Sequence, residues 1–320
     1  MHEVTMALQL VLGQIYLQII IFSGIKLMLI SDNKSNVIAK DKTGYSVLMS
    51  VYYKETAEHL RAAMDSIWNQ TVKTDDFVLV CDGPLNQGLD EVVDEMAEEH
   101  PELNVIRLEK NSGLGNALNI GIRFCRNELV ARMDSDDLSR PDRCERQLEV
   151  FCIDPDISIC SGTVEEFTAS VDEVETIRSL PKSHEEIIAF ARKRNPFNHP
   201  CVMYKKEAVE ASGGYCDFYL LEDYYLWIRM LQNGAKGYNI PEPLLWMRAG
   251  SEMYKRRSGF KYAKSQKALF KYMKETGFIS GWQYFKSVAV RSVSAVIPNG
   301  LRKIVYKKVL RNEKAVEQTD

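Results

Sequence analysis

The 320 residues contain no Cys-x-x-Cys pair and no His-x-x-x-His spacing, and the seven cysteines are an odd number. Zinc frameworks and paired secreted disulfides are therefore excluded as organising devices. The cysteines read instead as small buried apolar residues of a reducing compartment. Internal repeats and low-complexity tracts are missing too. Neither sign of charge predominates: 41 Lys and Arg stand against 44 Asp and Glu, a net of −3. That balance gives no reason to expect a nucleic-acid partner. Hydrophobic residues at 45% and charged residues at 27% exclude a disordered chain and a polytopic membrane protein.

The small net charge hides an uneven distribution. Residues 255–312 carry fifteen Lys and Arg and one acid, whereas residues 1–254 carry 25 basic and 40 acidic residues. An acidic body with a basic tail favours a membrane or another polyanion. One long uncharged run exists, Val4 to Ile25, 22 residues of which 15 are apolar. It is long enough to span a bilayer, although Gln9, Gln14 and Gln18 are costly in lipid. The lysines that follow (Lys26, Lys34, Lys40 and Lys42) would keep the body on the cytoplasmic side. The alternative is an extension preceding a true start at Met28.

From Tyr45 onward, short apolar runs alternate with helical periodicity. Strands are expected at Tyr45–Tyr52, Phe77–Cys81, Val105–Leu108, Glu128–Met133 and Ile157–Gly162. Helices are expected where Leu60, Met64, Ile67 and Trp68 recur, over Leu89–His100, after Gly113, over Glu185–Arg194 and over Tyr224–Leu231. From Lys255 the chain reads as helical, broken at Gly277, Gly281 and Pro298. The alternation predicts βαβ units and a mostly parallel, Rossmann-like sheet. Ligands of such sheets bind beyond the carboxyl ends of the strands. Tyr53–Glu55, Asp82 and Asp134–Asp137 are thereby the informative positions.

The sharpest feature is Asp134-Ser-Asp136-Asp137 at the end of the fourth strand. Three carboxylates in four residues repel one another, and a hard divalent cation, Mg²⁺ or Mn²⁺, resolves the repulsion. A solvated acidic turn is the bland alternative. Glu222-Asp223 sits among bulky apolar residues, where desolvation makes a carboxylate a better general base. Acids at a helix N-terminus would look the same. Asp82, before Gly83-Pro84, suits either a nucleobase N–H or a turn. Gly113-Leu-Gly115-Asn-Ala-Leu118 resembles half of a dinucleotide fingerprint, but close helix packing explains its glycines equally well. Arg248, Lys255, Arg256 and Arg257 suit either a leaving diphosphate or a solvated basic face.

Taken in order, several segments form a set: Ser46–Glu55, Val80–Gly83, Asn111–Gly113, Ala131–Asp137 with Pro141-Asp142-Arg143 and Gln147, Asn198-His199-Pro200, and Glu222-Asp223. Over residues 44 to 257 the set resembles family 2 of the inverting glycosyltransferases, which have the GT-A fold. Within that family it is similar to the bacterial capsule and exopolysaccharide branch, the amylovoran-type galactosyltransferases. The resemblance implies a hydrophobic N-terminal extension at 1–43, a nucleotide-sugar-binding half at 44–150, an acceptor and catalytic-base half at 151–254, and basic amphipathic C-terminal helices at 255–320.

It also implies site roles. Ser50, Tyr52, Glu55, Asp82, Asn111, Gly113, Asp134 and Arg248 would bind the nucleotide sugar, with Asp82 on the uracil. Asp136 and Asp134 would hold Mn²⁺ or Mg²⁺. Asp223 would be the catalytic base, with Glu222 beside it. The implied donor is a UDP-sugar, UDP-galactose and a UDP-N-acetylhexosamine being the candidates. The implied acceptor is a polyprenyl-diphosphate-linked saccharide, met at an anionic membrane surface on the cytoplasmic face of the inner membrane. Cys81 stands where many members carry an acid, and the Gln-x-x-Arg-Trp signature of processive synthases is absent, so single-sugar transfer is expected. A non-catalytic UDP-sugar-binding scaffold, a nucleotidyltransferase and a Rossmann oxidoreductase are the competing classes.

Overall fold

The computed structural model describes residues 44–249, 259–296 and 312–313. Val4–Ile25, Lys255, Arg256, Arg257 and the basic residues between Arg302 and Arg311 lie outside the described residues.

Four strands make the parallel part of the sheet: β1 (Tyr45–Val51), β2 (Asp76–Cys81), β3 (Leu103–Arg107) and β4 (Leu129–Asp134). Their order is β3-β2-β1-β4, so β1 is flanked on both sides. Burial on two faces explains why these strands read as continuous apolar runs. Alternate residues of β1 serve different layers. Val47 and Met49 pack with α1 (Ala57–Trp68) and α2 (Gln87–Glu99), whereas Leu48 packs with α3 (Leu114–Gly121) on the other face. Helix α1 buries Leu60, Ala63, Met64 and Ile67, one stripe at helical spacing, and Thr56 caps it by accepting from the His59 N–H. Gly121 lets α3 lie against the sheet: a Cβ there would come within 2.6 Å of Leu48 and Val80.

Beyond β4 the parallel pattern gives way. After β5 (Leu138–Ser139) and α4 (Arg143–Ile153) come β6 (Ile157–Phe167), β7 (Val174–Arg178), α5 (His184–Ala191), β8 (Met203–Lys205) and α6 (Lys206–Ala211). Strand β8 pairs antiparallel with both β4 and β6, and β6 pairs antiparallel with β7. Strand β9 (Lys236–Arg248) runs parallel to β6 and antiparallel to β5. The sheet is therefore mixed: parallel where β1 to β4 meet, and largely antiparallel across its second half. Strands from both halves of the chain belong to that one sheet.

Between β8 and β9 lies α7 (Glu222–Gln232), and after β9 come α8 (Gly259–Glu275) and α9 (Gly281–Val296), with a short β10 (Asn312–Glu313) paired to β7. Gly277, at φ 74°, ends α8 in the left-handed conformation. Ser280 and Gln283 then cap α9 reciprocally, each side chain bonded to the other's backbone N–H. Helix α8 buries Leu269, Phe270 and Met273 in the core that also holds Tyr224 and Trp227 of α7. Among the described residues no helix is long and apolar enough to cross a membrane.

Candidate active site

Sheet register sets the site. Ser50 pairs with Asp134 across β1 and β4, and Val51 pairs with Cys81 across β1 and β2. The residues that follow, Tyr52–Glu55, Asp82 and Asp136–Asp137, consequently emerge at one edge of the sheet, beyond the carboxyl ends of its parallel strands.

There the carboxylates of Asp134, Asp136 and Asp137 come within 4.8 Å of one another. Burial, joined by the charges of Asp134 and Glu55, pushes the Asp136 carboxyl up to about 7. Asp137 is raised well above the carboxylate range by burial and by its two acidic neighbours. Three carboxylates outnumber the one guanidinium paired with them, that of Arg132 on Asp134, and their hard oxygen donors fit Mg²⁺ or Mn²⁺. Asp137 also shapes the loop, since it accepts the Arg248 N–H at 2.8 Å. The Arg248 Nε donates to the Asp136 carbonyl at 3.1 Å, and its guanidinium stacks 4.7 Å from the Phe167 ring. Arg248 thus lies against the acidic loop, with a part of its hydrogen bonding spent on holding it. Glu55 belongs to the same edge: its Oε1 accepts the Thr56 N–H at 2.9 Å and pairs with His59 Nδ1 at 3.0 Å.

Behind Asp134 lies Arg132, 1% exposed, whose Nη2 donates to the Asp134 carboxylate while its Nε and Nη1 have no partner among the described residues. A buried guanidinium beneath an acidic loop keeps the carboxylates from facing only one another. Burial first, and Arg132 second, holds His199 well below the usual imidazole range. The neutral ring meets the Tyr215 hydroxyl at 2.9 Å.

The second acidic pair opens α7. Gly115 lets this helix start approach α3, because a Cβ at 115 would sit 3.3 Å from the Glu222 Cβ and 3.1 Å from the Cys216 carbonyl oxygen. Packing therefore accounts for Gly115, whereas Gly113 has open space around it and is required instead by its left-handed backbone at φ 88°. Burial first, then the charge of Asp223 and, more weakly, that of Asp134, pushes Glu222 up to about 7. Asp223 is held differently. Its Oδ2 accepts from Asn195 Nδ2 at 2.6 Å and its Oδ1 from the Tyr224 N–H at 2.6 Å.

Glu222 yields a stability prediction. Its folded pKa lies above the ordinary 4.5, so folding favours the protonated form and the charged form carries a cost. Below pH 4.5 no cost arises. It grows as pH rises from 4.5 through 7 and levels off at about 3 kcal/mol beyond it. In chelator, Glu222→Gln is expected to melt above the parent at pH 8.5 and with it at pH 4.5. Equal melting at both pH values would remove the desolvated carboxylate.

Asp82 forms a separate cluster with Asn111 and Gly113. Its Oδ1 accepts from the Ser112 N–H at 2.6 Å and the Ser112 hydroxyl at 3.0 Å, and its Oδ2 from the Gly113 N–H at 3.0 Å. Asn111 Nδ2 donates back to the Asp82 carbonyl at 3.1 Å. Both carboxylate oxygens are therefore spent on the loop, and a base N–H would have to share them.

The segment Pro141–Arg143 with Gln147 works from below. Arg143 is fully buried and donates to the Arg132 carbonyl at 2.7 Å, and Gln147 reaches the Cys201 carbonyl at 2.9 Å. Asn198 Nδ2 donates to the Gly162 carbonyl at 2.8 Å. These residues tie together β4 at Arg132, β6 at Gly162 and the turn before β8. Sequence reasoning missed Asn195 and Tyr215 altogether, and it quoted Arg132 and His199 without giving them roles. For Asn195 the only local signal is the Asn-Pro pair that it forms with Pro196.

Comparison with known proteins follows the same lines. The family model described as Glycosyl transferase family 2 matches residues 46–213. The amylovoran biosynthesis glycosyltransferase AmsE of Erwinia amylovora is 39% identical over 82% of this chain and 98% of its own length. The UDP-Gal:alpha-D-GlcNAc-diphosphoundecaprenol beta-1,3-galactosyltransferase of Escherichia coli is 36% identical over 86% of this chain and 99% of its own. Among solved structures, S. aureus TarS 1-349 in complex with UDP-GlcNAc superposes with a TM-score of 0.57 at 15% identity, covering 78% of this chain and 71% of that one. The Pyrobaculum calidifontis mannosyltransferase PcManGT in complex with GDP-Man and Mn²⁺ gives 0.55 at 18%, covering 81% and 71%.

Proposed function

Given that the chain belongs to glycosyl transferase family 2 and has the GT-A fold, we propose that it moves one sugar from a UDP-sugar to a saccharide carried on a polyprenyl diphosphate, with inversion at the anomeric carbon. It is a glycosyltransferase, so the nucleotidyltransferase and oxidoreductase readings fall away. One observation carries the proposal: within the family 2 domain, the carboxylates of Asp134, Asp136 and Asp137 gather within 4.8 Å of one another beyond the carboxyl end of β4.

Asp134 and Asp136, with Asp137 beside them, would hold Mn²⁺ or Mg²⁺; when bound, such an ion offsets the charge that develops on the departing diphosphate. Ser50, Tyr52, Glu55 and the cluster of Asp82, Asn111 and Gly113 would seat the nucleotide. Asp223 takes the proton of the acceptor hydroxyl as its oxygen bonds to the anomeric carbon, and the bond from that carbon to the diphosphate oxygen breaks on the opposite face. Asn195, through its 2.6 Å bond, fixes the rotamer of Asp223. A positioned base of this kind contributes about 10²–10⁴-fold.

The Escherichia coli relative supplies the substrates to try first, since its name specifies UDP-Gal and GlcNAc-diphosphoundecaprenol. A lipid-linked acceptor would place the reaction at an anionic surface on the cytoplasmic face of the membrane. Incubation with UDP-galactose, MnCl₂ and a GlcNAc-diphospho-lipid is expected to give a single β-linked galactose, identified by NMR of the product. A scaffold that only binds the donor would give none. Transfer from GDP- or dTDP-sugars, but from no UDP-sugar, would overturn the donor assignment.

A further inference from the structure

Two exposed faces at the C-terminal end of the described fold have no role in the reaction above. On α8 the lysines Lys264, Lys267, Lys271 and Lys274 recur at three- and four-residue spacing and are all exposed, while Leu269, Phe270 and Met273 turn inward. On α9 the rings of Trp282 and Phe285 are 72% and 64% exposed and stack on each other at 6.1 Å. The two faces adjoin. Lys274 lies with its ammonium 5.4 Å from the Tyr284 ring and its Cε 4.0 Å from where a side chain at Gly281 would begin.

We infer that this lysine stripe and the Trp282–Phe285 pair form one docking face for an anionic lipid bilayer. Leaving two large rings in water costs about 1.5–3 kcal/mol apiece relative to burial, so a partner is expected to cover them. The neighbouring charge decides which partner. Protein interfaces are depleted of lysine and favour arginine, whereas every cation of this stripe is a lysine. Stacked aromatics flanked by lysine suit the headgroup region, where Trp partitions and each nearby cation adds attraction to anionic lipid. The fold holds the face firmly. Arg291 of α9 lies 4.2 Å from the Phe270 ring and donates to the Lys193 carbonyl at 2.6 Å. The choice of a bilayer rests on the lipid-linked acceptor proposed above, but the face itself does not.

The test uses the full chain and the position of its tryptophans. There are four, and Trp282 alone among them is exposed. Vesicles of brominated phosphatidylcholine with phosphatidylglycerol are expected to quench part of the tryptophan emission, and Trp282→Phe is expected to lose that part. Reversing Lys264, Lys267 and Lys271 to Glu is expected to weaken vesicle partitioning at least about tenfold, with thermal melting as the check on folding. Equal quenching of the parent and Trp282→Phe overturns the inference, because another segment then makes the contact. So does an absence of quenching. A parent dimer that Trp282→Glu dissociates, without quenching, reassigns the face to a second copy of the chain. Metal-dependent hydrolysis of UDP-galactose is scored separately, so failure of the active-site proposal and failure of the docking face stay distinguishable.

Discussion

Asp223→Asn is expected to bind UDP and Mn²⁺ like the parent enzyme and to transfer about 10²–10⁴-fold less sugar. The amide keeps the carboxylate's shape, and its oxygen can still accept from Asn195 or from the Tyr224 N–H, which now serve Asp223 at 2.6 Å each. It cannot take a proton. Calorimetric titration with UDP and a single-turnover assay separate the two effects. Near-normal turnover would move the base to Glu222, whose carboxyl, pushed up to about 7, is already tuned for proton transfer near neutral pH. Glu222→Gln would then carry the loss instead. A uniform weakening of donor binding, without a fall in the chemical step, would assign the pair to substrate contact alone.

The second large effect is expected at Asp136. Replacing it with Asn removes a charged oxygen donor from a cluster whose members lie within 4.8 Å, and relieves the repulsion that burial and Asp134 impose on it. The Mn²⁺ concentration for half-maximal activity is expected to rise more than about 100-fold, taking the 10–100-fold cost of altering residues that merely orient metal ligands as the floor. At pH 8.5 the same variant is expected to melt higher than the parent in chelator, because the charge on a half-buried carboxyl raised to about 7 is gone. Loss of activity without any change in the Mn²⁺ titration would mean that Asp136 contacts substrate and not metal.

Much of the frame is legible from the chain because local pattern and tertiary environment agree. Strands β1, β2 and β4 are buried on both faces, so their apolar runs could hardly lie anywhere but the middle of a sheet. The acidic cluster is legible because nothing but a cation or solvent makes three adjacent carboxylates tolerable. Strand β9 is not legible. Pro241 and Pro243 interrupt it at the point where its register with β6 shifts, and proline argues against a strand when only sequence is in hand. Nor does the sequence foretell that Asp82 is already engaged by the 112–113 loop, because a turn-forming Asp and a base-binding Asp carry the same local signature. Asn195 and Asp223 are 28 positions apart, and only the packing of α7 brings them together.

The three inward side chains of α8 have a practical consequence for deletion experiments and for shuffling this tail between relatives. Leu269, Phe270 and Met273 are at most 1% exposed, and at about 1.5–3 kcal/mol each they amount to much of the 5–15 kcal/mol that keeps a typical domain folded. Phe270 also meets the ring of Tyr224, the residue next to Asp223, at 6.4 Å. Cutting the chain at Lys255 would therefore not detach a handle from an intact catalyst. It would strip the cover from the helix that carries Glu222 and Asp223, and a truncated protein failing to float with vesicles would report a damaged fold as readily as a lost anchor. Surface substitutions at Trp282 and the lysines leave that cover in place, so the proposed lipid docking has to be tested residue by residue and not by truncation.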